Sequence, residues 1–344
     1  MTKECAPLHF AHTLSMFGSY QHGKGGELMR QETARGLTDL ASPGARATSV
    51  ATTRRPRGIN WSYALTSWLG LVPFLLFCLL FEILPAIIII QGSFSDDKTG
   101  AFTLNNYQHM LGQASNLHAF ETSISLSLVT AVLGGIVGTL AAYGVYSLRT
   151  SWLRNFLIGF SSIAANFAGV PLAFAFVATL GVTGFITVGI HDWFHVSLYD
   201  LGFSIYSFWG LVIVYMYFQL PLMILVTLPA MNALRPEWRE AATNLGASNF
   251  TYWRRVALPV LLPSLVAATM LLFANSFGAF ATAFALAQGS INLVPILINF
   301  VVNGNVLVDF GLGNALAVGM IVVLLVAVSL YTAMVRRVST WQGR

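Results

Sequence analysis

Charge is scarce in this sequence. Only 9% of its 344 residues are Asp, Glu, Lys or Arg, while 56% are hydrophobic. A soluble domain usually carries about 25% charged residues. The deficit excludes an ordinary water-exposed globule over most of the length. With a mean hydropathy of +0.70, lipid is the solvent that the composition fits. Cysteine is scarcer still. Cys5 and Cys78 are the only two, which excludes a disulfide framework and a cysteine metal cluster. Cys78 lies in an apolar run and reads as a small hydrophobe. The net charge of +5 does not point to nucleic acid, because the bases form no single patch. They sit in short groups between apolar runs, as membrane orientation requires.

Catalytic constellations are missing too. No Ser–His–Asp or thiol–His arrangement has local support, so no catalytic residue is assigned and the chain is not expected to be an enzyme. Gly18 to Lys24 matches most of a phosphate-binding loop, but Gly25 stands where Ser or Thr would hold Mg²⁺. No buried strand precedes it and no periodic helix follows. The chain therefore carries no ATPase and no cofactor of its own. His191 and His195 have the spacing of a zinc-protease helix, with Asp192 in place of its Glu. The segment reads as a short external loop and not as a metal site.

What the chain does have is long apolar runs. A spanning helix needs about 20 apolar residues. Six candidates occur, near 65–91, 121–147, 156–180, 204–231, 258–283 and 310–334. In hydrocarbon every backbone N–H and C=O needs an internal partner, and the runs show no alternation of a barrel strand, so they are helices. The expected fold is an all-α membrane protein with a transmembrane domain over 61–340. Residues 1–60 are polar, without a sustained apolar period, and read as a disordered cytoplasmic tail. They hold no short apolar core followed by a cleavage site.

Orientation follows from the basic residues. With both termini cytoplasmic, seventeen of the eighteen lie inside and only Lys98 outside. The external loops carry Asp96, Asp97, Asp192, Asp200 and Asp309 instead. The tail alone supplies eight bases, so the loops and C-terminus are the fair test. There the balance is nine inside against one outside.

The loop 232–257 is too polar to span and too patterned to be a plain connector. Pro236 suits the first turn of a helix, and Glu237 and Glu240 suit its positive end. Ala241, Ala242, Leu245 and the stem of Arg239 form one packable face. Gly246 then ends the helix. Tyr252-Trp253-Arg254-Arg255 reads as an interfacial anchor, and Leu258-Pro259 as the opening of the fifth span.

Glu240-Ala241-Ala242, three residues, Gly246, nine residues, Val256, one residue, Leu258-Pro259 resembles the EAA signature of permease subunits in ABC importers. Val256 stands where that family usually has Ile. The resemblance covers roughly 65–340. It implies six transmembrane helices and a loop that forms a coupling helix docking on an ATPase subunit, with Glu240 and Gly246 its central positions. It also implies the partners: two cytoplasmic ABC ATPases that use ATP, a second permease, related or identical, and an external solute-binding protein, all in the inner membrane system. Asn166 to Leu172 and Phe277 to Thr282 resemble the branch serving polyamines, iron(III), phosphonates, sulfate or thiamine.

Polar residues inside spans are costly and tend to face partners or water. Glu82, Asn166, Gln219, Asn275 and Ser276 are the candidates for the translocation pathway. For the amides an interhelical hydrogen bond that holds the bundle together is an equal alternative. An ionised carboxylate at mid-depth costs about 2.5–3.5 kcal/mol on insertion scales, and Pro85 with the four Ile that follow puts Glu82 about a third of the way in from the outer surface. Gly134 and Gly138, and Gly311, Ala315 and Gly319, recur at packing distance and read as structure. The rival reading is a secondary transporter driven by an ion gradient. It would need coupling-ion sites and internal repeats, for which the sequence offers no convincing pattern.

Overall fold

The computed structural model describes residues 71–287, 289–304 and 308–342, with backbone alone for 334–342. The tail 1–60 and its phosphate-loop-like stretch lie outside the described residues. Twelve helices are named here in chain order: α1 Leu71–Ser93, α2 Asn105–Gly112, α3 Ala114–Ser147, α4 Ser151–Asn166, α5 Val170–Leu180 and α6 Phe185–Phe194. They continue with α7 Phe208–Asn232, α8 Pro236–Asn244, α9 Asn249–Phe277, α10 Phe280–Ala287, α11 Val294–Asn303 and α12 Phe310–Gln342. Among the described residues six stretches are long and apolar enough to cross a membrane, the third of them Val170–Phe194 rather than 156–180. Among the described residues, extended pairing is limited to one bridge, Ser95 to Phe102.

α7 is the central helix. In its most apolar stretch 56% of the residues are buried, against none in α1. α3, α4 and α9 pack on it, and α12 packs on α1, α9 and α11. Lipid tails are as apolar as leucine, so burial of apolar area does not by itself drive helices together there. Close approach has to come from small residues. An added Cβ on Gly134 would stand 2.8 Å from Oε1 of Gln219, and one on Gly135 would stand 2.8 Å from Oγ1 of Thr269. The four-residue steps of α12 do the same. A Cβ on Gly311 would meet the Asn106 amide at 2.6 Å, one on Gly319 would meet the Phe120 ring at 2.7 Å, and Ala315 is fully buried between them.

The hydropathy runs and the helices do not share boundaries. The run 156–180 is cut at Phe167 to Gly169, where Gly169 takes φ +79° and Pro171 restarts the chain as α5. The run 258–283 is cut at Gly278 and Ala279, between α9 and α10. Apolar composition continues across both cuts, so hydropathy carries no trace of them. α9 also opens at Asn249 rather than at Leu258, with the Ser248 hydroxyl accepting the Thr251 N–H as its cap. Leu258-Pro259 therefore lies inside a continuous helix. A five-residue π turn, Trp253–Ala257, immediately precedes it, and the π turn Leu79–Ile83 likewise precedes Leu84-Pro85. Proline cannot donate to the helical ladder, and a local change of hydrogen-bond register is one way a helix absorbs it.

Two further expectations are corrected. Tyr252 and Trp253 do not face outward as the anchor reading expected. Tyr252 is buried in a cluster with Met231, Leu234 and Leu261, and Trp253 meets Tyr143 edge-on at 4.8 Å. His191 and Asp192 lie in the last turn of α6 rather than in a loop, and both are exposed. Among the described residues no group of three His, Cys, Asp or Glu side chains gathers in a metal-binding arrangement.

Candidate functional site

Two regions bring the predicted residues together. The first is the helix α8. Pro236 occupies its first turn with Glu237 beside it, which satisfies the steric and dipole preferences of a helix start. Its end is closed by two bonds: the Gly246 N–H donates to Thr243 O at 2.9 Å, and the Ala247 N–H reaches back to Ala242 O at 2.9 Å. This closure needs a left-handed residue, and Gly246 supplies it at φ +76°. Nothing lies within 4 Å of where its Cβ would be, so the glycine is there for its backbone and not for space.

No residue of α8 is buried. Glu240 and Ala241 point to solvent, and Leu245 is 88% exposed. Ala242 is the exception, half-buried against the Tyr252 cluster. The face Ala241–Ala242–Leu245 is thus split. Ala242 seats the helix on the bundle, while Ala241, Glu240 and Leu245 are presented outward. Leu258 and Pro259 lie farther along, inside α9 just past its π turn.

The second region lies where the broken helices meet. Thr130 on α3 joins three helices. Its hydroxyl donates to Leu126 O at 2.8 Å, which leaves its oxygen as acceptor for Gln219 Nε2 at 3.2 Å and for the Ser276 hydroxyl at 2.9 Å. Gln219 is fully buried, and its Oε1 has no hydrogen-bond partner. The two breaks are closed by side chains from other helices. The Gly169 N–H donates to Thr282 Oγ1 at 2.8 Å, and the Tyr215 hydroxyl donates to Ala279 O at 3.0 Å. Non-helical backbone at membrane depth is tolerated only where protein or water satisfies it, and here protein does. A cavity of about 10 Å³ beside Ser127, Tyr215 and Ser276 has room for about one water molecule.

Gln219 and Ser276 therefore share one partner, while the other candidates stand apart. Asn166 and Asn275 are exposed, the former bonded to its own helix at Ser162 O. Glu82 is exposed in the π turn of α1. Sequence reasoning missed Thr130, Ser123 and Ser127. The signal was present: Ser123, Ser127, Thr130, Gly134 and Gly138 step by three and four residues along one face of α3. Ser123 also caps α11 across 171 residues, accepting the Val294 N–H at 2.9 Å.

A bundle of spanning helices with broken members at its centre and an exposed, tightly closed helix on one connecting loop defines a multi-pass membrane permease. The family model of the binding-protein-dependent transport system inner membrane component matches residues 134–340, and the chain belongs to this family. It is a translocation-pathway subunit of an ATP-binding-cassette importer. It is similar to the spermidine/putrescine transport system permease protein PotC of Haemophilus influenzae, 28% identical over 258 residues, 74% of this chain and 91% of that protein. PotC of Escherichia coli is 26% identical over 249 residues, 71% and 86%. The probable sulfate transport system permease protein cysT of Nephroselmis olivacea is 23% identical over 252 residues, 72% and 80%. In fold it resembles a chain of a bacterial ABC transporter involved in alginate import, with TM-score 0.66 and 17% identity over 80% of this chain and 98% of that one.

Proposed function

We propose that this permease works with a second permease, identical or related, two cytoplasmic ATPases and an external binding protein. ATP binding draws the ATPases together. The movement enters through α8 and switches the pathway between inward- and outward-facing states. Nucleotide can drive that switch only through different affinities for the two states. The observation that carries this reading is α8 itself: a helix with no buried residue, seated on the bundle by Ala242 and closed at a left-handed Gly246, that presents Glu240, Ala241 and Leu245. Both termini and the 232–257 loop are cytoplasmic, as the basic residues support. The chain hydrolyses no ATP and needs no cofactor. The pathway is lined near the broken helices, with Asn166, Gln219, Asn275 and Ser276 among its polar groups and Glu82 at its edge.

For the solute, the likeness to the two PotC proteins supports an aliphatic polyamine. The likeness to cysT makes sulfate the second choice. The test is uptake of labelled spermidine, putrescine and sulfate into vesicles carrying the whole importer, with Ala241→Cys as a crosslinking site for the ATPase. ATP-dependent uptake of a polyamine, with a nucleotide-sensitive crosslink, is expected. Uptake that follows a proton or sodium gradient without ATP would instead establish the secondary-transporter reading.

A further inference from the structure

Arg154 lies in the first turn of α4, and its Nη2 donates to Asn232 Oδ1 at 2.8 Å across 78 residues of sequence. Asn232 is the last residue of α7 and the first of the loop that carries α8. Nε of the same guanidinium is shut off from solvent and has no hydrogen-bond partner. A buried donor without a partner costs stability, so the placement is not explained by stability alone. α4 then packs along α7. From Arg154 to Asn166 it runs twelve residues, or about 18 Å at the α-helical rise. Just past its far end is the break, where the Gly169 N–H is held by Thr282 on α10. α4 is thus a rigid rod, with a long-range polar contact at its loop end and another just beyond its membrane end.

We propose that Arg154 is a positioning residue: its contact with Asn232 carries displacement of the α8 loop along α4 to the broken span at Gly169. The inference rests on the reading of α8 as the element that meets the ATPase. Asn232 moves with the α8 loop, because α8 starts four residues later. A single hydrogen bond to a charged donor is directional, so a shift of Asn232 pulls on the first turn of α4 rather than sliding past it. Because α4 is helical throughout, the pull reaches Phe167 to Gly169, where the helix is interrupted. The backbone there answers by trading its contact with the buried Thr282.

The test uses the whole importer in native membranes, in a chain with Cys5→Ser, Cys78→Ser and a reporter at the break, Ala168→Cys. Ala168 is exposed. Its labelling rate with N-ethylmaleimide is measured without nucleotide and with ATP plus vanadate. The parent chain should respond to nucleotide about fivefold or more, the scale of an ordinary coupling between sites. Arg154→Gln and Asn232→Ala should each bring that ratio close to one without moving the nucleotide-free rate. The double variant should be no worse than either single, since both break one contact, and Arg154→Lys should restore part of the response. A ratio that persists in both single variants overturns the inference. So does a change in the nucleotide-free rate as large as the change in ratio, which marks Arg154 as mere support for the fold. Glu240→Ala separates the two levels. If the parent chain does not respond, the reading of α8 fails and this inference with it. If Glu240→Ala abolishes the response and Arg154→Gln does not, only the inference fails.

Discussion

Gly138 and Met223 meet so closely that a Cβ on the glycine would stand 2.5 Å from the Cβ of the methionine. The contact is rooted near both backbones, so no flexible side-chain end can give way. Gly138→Ala must push α3 and α7 apart, and overpacking of this kind costs about 1–3 kcal/mol. Gly144, on the same helix, has nothing within 4 Å. Gly144→Ala should be neutral, or stabilising by up to about 1 kcal/mol through helix propensity. Thermal unfolding midpoints of the two variants in detergent decide the matter. Equal midpoints would mean that α3 and α7 do not meet as described.

The Thr130 junction makes a second prediction. Thr130→Val keeps the shape but removes the acceptor shared by Gln219 and Ser276. In membrane proteins such bonds average about 0.6 kcal/mol and reach about 1.7. Because Thr130 serves two donors, a loss near the upper figure is expected, while Thr130→Ser should stay near the parent. A double-mutant cycle with Gln219→Leu should show coupling between the two sites. If Thr130→Val left the unfolding midpoint in place and lowered solute uptake instead, the hydroxyl would belong to the pathway and not to the packing.

These two contacts show what the sequence could and could not reveal. The glycines of α3 were legible as packing residues because their four-residue spacing is local. The helix of the 232–257 loop was legible for the same reason: Pro236, which opens it, and Gly246, which closes it, lie within one short stretch, and their order in sequence is their order in space. At Gly169 the Gly169-Val170-Pro171 pattern is a local signal for a helix that can open, and only its distant partner Thr282 was hidden. The break at Gly278 was not legible, since its backbone is satisfied by Tyr215 from a distant part of the chain. Nor was the inward turn of Ala242. Which of two adjacent alanines faces the bundle depends on where Tyr252 comes to rest, and nothing in the loop encodes that locally. Tyr252 itself misled because Trp and Tyr beside arginines suit a membrane interface as well as a buried cluster.

Asp96 gives a pH prediction. Its carboxylate accepts the N–H groups of Lys98 and Thr99 at 3.0 and 2.8 Å and the Thr99 hydroxyl at 3.0 Å. The Thr99 bonds, backbone first, hold its pKa below the ordinary 3.8, and the Lys98 bond adds to them. A carboxyl whose pKa is depressed on folding adds stability above its ordinary value and loses it as pH falls through the lowered one. The turn 96–99 should therefore stay closed at pH 5 and open below its lowered pKa. Amide hydrogen exchange at Thr99 reports it. Asp96→Asn should exchange faster at neutral pH and show a flatter pH dependence, and an unchanged profile would refute the cause assigned to the shift.

The end of α8 carries the last prediction. Gly246 holds φ +76° with open space around it, so a substitution there acts through the backbone alone. The left-handed region costs an ordinary residue about 1–2 kcal/mol. Gly246→Val should undo the two closing bonds to Thr243 and Ala242, and Gly246→Asn, which tolerates this conformation better, should keep most of them. Leu245 beside it is 88% exposed, an outward leucine on a polar loop. Leu245→Arg should leave the thermal midpoint of the isolated permease unchanged and weaken its co-purification with the ATPase. Gly246→Val should weaken co-purification too, but by loosening the helix, seen as faster exchange of the Gly246-flanking amides. The two variants thus give the same loss of binding for separable reasons. If Leu245→Arg lowered the midpoint of the isolated permease, the outward face of α8 would be part of the fold and not the docking surface.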